Sequence, residues 1–434
     1  SGGNPLFGFA NFLLLALFAA AVFDLIFALA RGGGLRGALH GLWNTPHLLF
    51  GQQLAEWRLQ LGRILFAAGL AAYEISVVFC NSMARQNWAW VQGVMSPVLE
   101  WLAFLCFGAK ILFGTRYTWR ELLAGGALYF IARWVYFNSQ NIWWIGIVVA
   151  VLAAKDVPLR RPLQVYFASG CAAMAVVLAL HFAGIVAPDL TSERMGALRG
   201  TYGYGHPNTF GGLVFGLVLA YALLRAQKVR WVDCLLVFAV GVFLLVGPAS
   251  RSAALCTLAL AVGLVFCRLR AGHSVPRWWP GTCAGMVGLT AAVSYLLPLL
   301  VIKVGPWNND IGPAWLAKLD SLLTCRISLT WMAYRLLDVK IAGQVFNWPT
   351  VDNSFAFALF QFGPVVAALL GILFAAALWG HAKQGRRVEV CCLFAMLAYA
   401  YMEVQPFHLT TNPTALLLCG AVFAQTSARW QKIE

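Results

Sequence analysis

The sequence predicts an all-α integral membrane protein, and three observations carry that expectation. Of 434 residues 61% are apolar and only 11% are charged, where a soluble domain carries roughly 25% charged residues. Apolar stretches of about 20 residues, the length needed to cross the hydrocarbon core of a bilayer, recur along the whole chain. Lys and Arg then collect in alternate gaps between those stretches, as cytoplasmic loops do. A disordered or collagen-like chain is excluded by 30 Phe, 18 Trp and 12 Tyr, which supply far more surface for burial than such chains carry.

About thirteen spans are expected, near residues 8–30, 61–80, 94–113, 121–138, 141–154, 163–187, 208–225, 231–248, 251–267, 281–303, 353–380, 388–404 and 412–427. One set of gaps holds most of the 31 basic residues, including Arg31, Arg36, Arg58 and Arg63, the run Arg225, Lys228 and Arg230, and the run Lys383, Arg386 and Arg387. That set is assigned to the cytoplasm together with the carboxyl end, while the side of the amino end stays open. The net charge of +15 is thereby explained without a nucleic-acid partner. The eleven Cys form no CxxC pair and read as small apolar packing residues. Asp24, Glu74 and Glu100 lie in apolar stretches without a motif and read as structural. No linker or repeat divides the chain, so residues 1–434 are expected to form a single polytopic domain.

Polar chemistry concentrates in the other set of gaps, expected to be extracytoplasmic. The first, Ala187 to Asn208, contains Arg199 and the run Gly205-His206-Pro207-Asn208. Pro207 suits the first position of a helix, and Asn208 is a candidate cap. The second is Gly247-Pro248-Ala249-Ser250-Arg251-Ser252. An Arg buried there needs an anion or a wet cavity, and snorkelling to the interface is the competing reading. The third, residues 304–351, is expected to be a lid-like loop carrying one amphipathic helix over Ala314 to Ala342. In it Leu316, Leu319 and Leu323 form an apolar stripe that Arg326 shares. Trp307, Trp315, Trp331 and Trp348 suit sugar stacking or the membrane interface. Asp352-Asn353-Ser354 follow, then Glu403, His408 and Asn412 around the last outer turn.

Taken in order, Gly205 to Thr209, Ser250-Arg251-Ser252, Leu319-Asp320 through Arg326, Val351 to Phe355 leading to Phe362-Gly363, and Glu403 with Asn412 resemble successive motifs of bacterial Wzy-type repeat-unit polymerases of O-antigen and capsule. That superfamily includes the O-antigen ligases and, more distantly, the GT-C-type membrane glycosyltransferases. The resemblance covers roughly residues 150–425. It implies a GT-C-like fold in the cell membrane, with the reaction on the extracytoplasmic side. The donor would be a glycan on undecaprenyl pyrophosphate and the acceptor a newly arrived lipid-linked repeat. A chain-length regulator would be a further partner, and no metal ion or other cofactor is expected. Carried over by motif, Arg199, Arg251 and Arg326 are the diphosphate-binding candidates, with Asn208, Asn353 and His408 as further substrate contacts.

Negative charge grows on a departing lipid diphosphate, and charge-assisted Arg contacts suit it. The acceptor hydroxyl needs a general base, for which Asp352, His206 and Glu403 are the candidates, the first two preferred. In-line attack would invert the anomeric configuration. The ligase pattern has a histidine where Asp352-Asn353 stand here, which favours polymerisation over the ligase alternative. A lipid-linked oligosaccharide flippase is the non-enzyme alternative, against which stand the lack of an internal repeat and the one-sided placement of charge.

Overall fold

The structure, a computed structural model, describes residues 5–31, 34–51, 56–186, 192–194, 197–301 and 312–423. Most of them are helical. In chain order the helices are α1 (Pro5–Ala30), α2 (Gly34–Asn44), α3 (Glu56–Cys80), α4 (Ala84–Asn87), α5 (Ser96–Phe113), α6 (Trp119–Ser139), α7 (Ile142–Ala153) and α8 (Arg160–Phe182). They continue with α9 (Pro207–Leu224), α10 (Trp231–Val246), α11 (Arg251–Leu269), α12 (Trp279–Leu296), α13 (Ala314–Leu322), α14 (Arg326–Leu336), α15 (Ser354–Phe357), α16 (Pro364–Lys383), α17 (Arg387–Met402) and α18 (Cys419–Val422). Two short antiparallel pairs join β1 (His47–Leu48) to β2 (Arg116–Tyr117), and β3 (Ser192–Arg194) to β4 (Ala197–Arg199).

Among the described residues eight helical spans are long and apolar enough to cross a membrane. Shorter apolar helices cover Ile142–Ala153, Trp231–Val246 and Pro413–Val422. The surface explains why lipid must be the solvent. Phe18 is 70% exposed, Val262 69% and Ile372 64%, a cost in water of about 25 cal/mol per Å² that a bilayer removes. The chain is thus an all-α, multi-pass membrane protein. Two of the expected spans fall on helices of a different character: α6 carries Arg120, Glu121 and Arg133, and α17 has only 16 residues. The stretch expected at 412–427 is a 3₁₀ segment, Pro413–Leu418, running into the short α18, and its last residues lie outside the described ones.

The chain divides into two compact units. One comprises Ser1–Phe137, Ile142–Pro188 and Ala415–Glu434; the other comprises Asn138–Asn141 and Asp189–Thr414. In the first, α3 packs on α5 and α8, and α5 on α7. The approach of α3 to the end of α5 depends on Gly62, where a Cβ would lie 2.8 Å from the Gly114 carbonyl oxygen. In the second, α11 packs on α9, α10 and α17, and α12 on α16. Helix direction sets the polarity of that unit. The starts of α9 and α11 and the ends of α10 and α17 lie at one end, and the basic turns after α9, α11 and α16 lie at the other. Arg387 Nη1 donates to the Arg270 carbonyl, 2.8 Å away, joining two of those turns.

The region expected as one amphipathic helix over Ala314 to Ala342 is two helices instead. Thr324 (φ 57°) and Cys325 (φ 64°) adopt left-handed backbone between α13 and α14. The reason is Asp320, whose Oδ1 accepts from the Ile327 and Ser328 backbone N–H groups at 2.7 and 3.2 Å, while Oδ2 accepts from Ser328 Oγ at 2.8 Å. This fully buried carboxylate caps α14 from the preceding helix, so the chain must turn back on itself. Leu316 of the expected stripe is buried against Val301 and Ile327, with Leu319, Leu323 and Trp331 around them. Ala333 packs in a separate cluster with Val351, Ala356 and Phe360. Arg326 opens α14 rather than sharing a continuous stripe. Of the tryptophans in this region, Trp315 and Trp348 are exposed and Trp307 lies outside the described residues.

Replacing Asp320 by Ala removes three hydrogen bonds from a buried cap. A loss of about 1–2 kcal/mol is expected, read as a lower unfolding temperature in detergent with faster hydrogen exchange at Ile327 and Ser328. Unchanged exchange there would show that the turn holds without the cap.

Candidate functional site

The candidate site is built within the second unit, at the end opposite the basic turns. Its centre is Glu403, 5% exposed, which follows α17 in extended backbone (φ −142°, ψ 151°). One oxygen of this carboxylate, Oε1, accepts from three side chains on three different elements. Arg326 Nη2 approaches to 2.5 Å, Ser252 Oγ to 2.8 Å and Asn208 Nδ2 to 3.0 Å. The Glu403 carbonyl accepts from Ser354 Oγ at 2.5 Å, which ties in α15.

Asn208 makes the second joint. Its amide reaches Glu403 through Nδ2, while Oδ1 accepts from Arg199 Nη2 at 2.8 Å. The two faces of one amide therefore connect a guanidinium to a carboxylate, a geometry that fixes which atom is oxygen and which nitrogen. Arg199 closes β4, is 6% exposed, and also donates to the Ala249 carbonyl at 3.2 Å. Ala249 itself sits at φ 50°, so the tight Gly247–Ser252 turn presents its carbonyl at the cost of some backbone strain. The start of α9 can lie this deep because it carries glycines. A Cβ at Gly212 would stand 1.7 Å from Gln405 Oε1, whose Nε2 donates to the Asn208 carbonyl at 3.1 Å.

Arg326 has every donor engaged. Nε donates to the Met402 carbonyl, Nη1 to the Leu323 carbonyl and to Thr324 Oγ1, and Nη2 to Glu403 and, at 3.4 Å, to Ser252 Oγ. It is 8% exposed. A guanidinium bound on all five N–H groups has no fork left for a ligand. Arg326 thus holds the α13–α14 turn against α17.

The other expected site residues take distinct places. Arg251 is exposed at the first position of α11, directly beside the buried Ser252. His206 is exposed and caps α9: its Nδ1 accepts from the Asn208 N–H at 3.1 Å. The cap expected at Asn208 therefore falls to His206, because the Asn208 amide is drawn into the Arg199–Glu403 bridge. Asn353 caps α15, accepting from the Phe355 and Ala356 N–H groups at 2.9 and 3.1 Å and donating to Ser294 Oγ at 3.2 Å. Asp352 is half-buried beside it, near enough to Glu403 for the two carboxylates to repel.

His408 follows α17, where burial pushes its imidazole down to about 3. It is neutral at physiological pH and supplies no positive charge. Asn412 donates to the Pro406 carbonyl at 2.9 Å and shapes the same turn.

The cluster thus unites Arg199, Asn208, Arg326 and Glu403 by direct bonds, and brings Arg251, Asp352 and Asn353 to its edge through chain neighbours. Sequence reasoning named Ser252 and Ser354 within motifs without giving them a role, and missed Gln405. The Ser252 signal was available, since adjacent residues at a helix start point about 100° apart and an exposed Arg251 turns Ser252 inward. Three guanidinium groups stand with two carboxylates, and the amino ends of α9 and α11 add positive dipole at this end. No group of three or more His, Cys, Asp or Glu suited to a metal ion occurs among the described residues.

No protein-family model, curated protein or solved structure matches the chain.

Removing one partner of a buried ion pair strands the other. Arg326→Met and Glu403→Gln should each destabilise the protein, Arg326→Met by about 3–5 kcal/mol, with the double variant costing less than their sum in a melting-temperature cycle. A strictly additive cycle would mean that the pair does not couple.

His408 gives a pH dependence of fixed sign. Its folded value lies below the ordinary imidazole value, so the unfolded chain binds more protons between about 3 and 6.5. Stability through this group is present above that window and is lost as pH falls through it. His408→Gln should flatten the fall in unfolding temperature between pH 7 and pH 5.

Proposed function

We propose that the chain is a Wzy-type membrane glycosyltransferase that polymerises undecaprenyl-pyrophosphate-linked repeat units on the extracytoplasmic face of a bacterial cell membrane. The reading rests on one observation: a hydrogen-bonded Arg199–Asn208–Glu403–Arg326 chain, its three charged members buried, with exposed Arg251 beside it, at the end of the unit opposite the basic turns. The positive-inside tendency then supports an outward-facing site.

In this mechanism Arg251 contacts the diphosphate of the donor, and Arg199, steadied by Asn208 and Ala249, adds positive field behind it. Arg326 and Glu403 are positioning residues, since their bonds fix the starts of α9, α11 and α14 relative to one another. The acceptor hydroxyl oxygen forms a bond to the anomeric carbon as the bond from that carbon to the phosphate oxygen breaks. The electron pair leaves with the lipid diphosphate, and the hydroxyl proton passes to a general base. Asp352 suits the base role best: it is half-buried, and among the described residues no hydrogen bond ties its carboxylate down. The Nδ1 lone pair of His206 is occupied by its capping bond, and Glu403 already accepts three hydrogen bonds. Departing charge is met by arginine rather than by a divalent ion, each contact contributing about 1.5–3 kcal/mol.

The test is incubation of the purified protein with one defined lipid-linked repeat, with and without chelator. A ladder of products insensitive to chelator is expected, whereas transfer of a single glycan to another acceptor would indicate a ligase. Arg251→Ala should slow elongation by about 10- to 100-fold at unchanged melting temperature, with Arg251→Lys between the two because a point charge lacks the guanidinium fork. Full activity of Arg251→Ala would overturn the role given to that residue.

A further inference from the structure

The first unit contains a cavity of about 550 Å³ between the end of α1, α2 and the turn through residues 45–51. It belongs to no part of the proposed transferase mechanism, and the inference drawn from it does not rest on that reading. Asp24, in the apolar α1, lines the cavity and is 2% exposed. Its Oδ1 accepts from the Gly51 N–H at 2.7 Å. Its Oδ2 faces His47 Nε2 in an ion pair at 3.4 Å and accepts no hydrogen bond among the described residues. A buried carboxylate oxygen whose one partner stands this far off has room for a further donor supplied from the cavity.

The site is built rather than accidental. His47 is fixed by the β1–β2 pair, and its Nδ1 lies 3.1 Å from the Thr45 carbonyl, a contact that requires Nδ1 to donate. Gly51 adopts φ +61°, and a Cβ there would stand 2.8 Å from the Phe27 ring, so the turn closes only with glycine. At the mouth Arg31 lines the same cavity, its guanidinium 4.3 Å from the Phe27 centroid. A carboxylate deep inside and a guanidinium at the rim are complementary to a ligand with an ammonium at its tip and a phosphate behind it.

The surroundings identify the ligand class. On α2, Leu35, Leu39 and Trp43 recur four residues apart and are exposed, while Gly37, Ala38, Gly41 and Leu42 line the cavity. A short amphipathic helix with an exposed apolar stripe of this kind lies in the membrane interface. Phe23 and Ile26 of α1, next to Asp24, are exposed too and offer apolar surface for acyl chains. We infer that this cavity takes the headgroup of a primary-amine phospholipid of the phosphatidylethanolamine type, its ammonium donating to Asp24 and its phosphodiester lying against Arg31.

The experiment titrates the detergent-purified full chain with phosphatidylethanolamine, phosphatidylcholine and phosphatidylglycerol separately and reads bound lipid by native mass spectrometry. Phosphatidylethanolamine should bind about tenfold tighter than phosphatidylcholine, whose methylated nitrogen has no N–H to donate. Asp24→Asn should abolish that preference, and Arg31→Gln should weaken both lipids alike.

Gly41→Leu supplies a variant that does not depend on the fate of the buried charge. No atom stands within 4 Å of a Cβ at Gly41, and Leu favours the helix over Gly, so the side chain should fill the cavity and remove lipid binding at an undiminished melting temperature. Equal binding of the first two lipids, or retention of phosphatidylethanolamine by Gly41→Leu, would overturn the inference. So would a preference for phosphatidylglycerol that survives Asp24→Asn, which would mark a simple anion site.

Discussion

One buried carboxylate oxygen organises the second unit. Glu403 Oε1 gathers a guanidinium from α14, a hydroxyl from α11 and an amide from α9, so three helix starts are referred to one point. In a low-dielectric interior such a charge is tolerable only when donors meet it, and here three meet one oxygen. The backbone follows from that requirement. The glycines at the start of α9 let it sink to Gln405, the left-handed Thr324 and Cys325 turn α14 towards Glu403, and Ala249 accepts strain to present its carbonyl to Arg199.

This economy separates two kinds of arginine that look alike in a sequence. Arg326 spends every N–H group on the protein and contributes rigidity, while Arg251 stands exposed at the edge of the same cluster. The proposed transfer would use both, because fixed dipoles stabilise developing charge only when they need not reorganise. His408 shows the opposite limit: burial keeps it neutral, so its contribution to this region is shape rather than charge.

The two units solve the problem of charge in lipid differently. The first buries a network in which Lys155 pairs with Glu121 at 3.3 Å and Lys110 donates to the Lys155 carbonyl at 2.6 Å, satisfying its ions internally. Asp24 in that unit lines a cavity, with one oxygen held only by an ion pair to His47 at 3.4 Å. Such incomplete satisfaction of a buried charge beside a cavity is the physical ground for placing a ligand there.

Much of the fold was legible in the sequence because lipid imposes a length and a polarity on each helix, and both appear as local composition. The eight long apolar helices and the basic turns of the second unit follow from that local rule. The candidate site was legible only as a set of residue types, Arg199, Arg251, Arg326, Asn208 and Glu403, recurring in the gaps between spans. Which arginine is bound and which is exposed, that His206 rather than Asn208 caps α9, and that Asp320 breaks an amphipathic stretch into two helices were decided by tertiary structure. The reason is distance along the chain: Asn208 and Glu403 meet across 195 residues, and no local pattern encodes which donor a buried carboxylate will find.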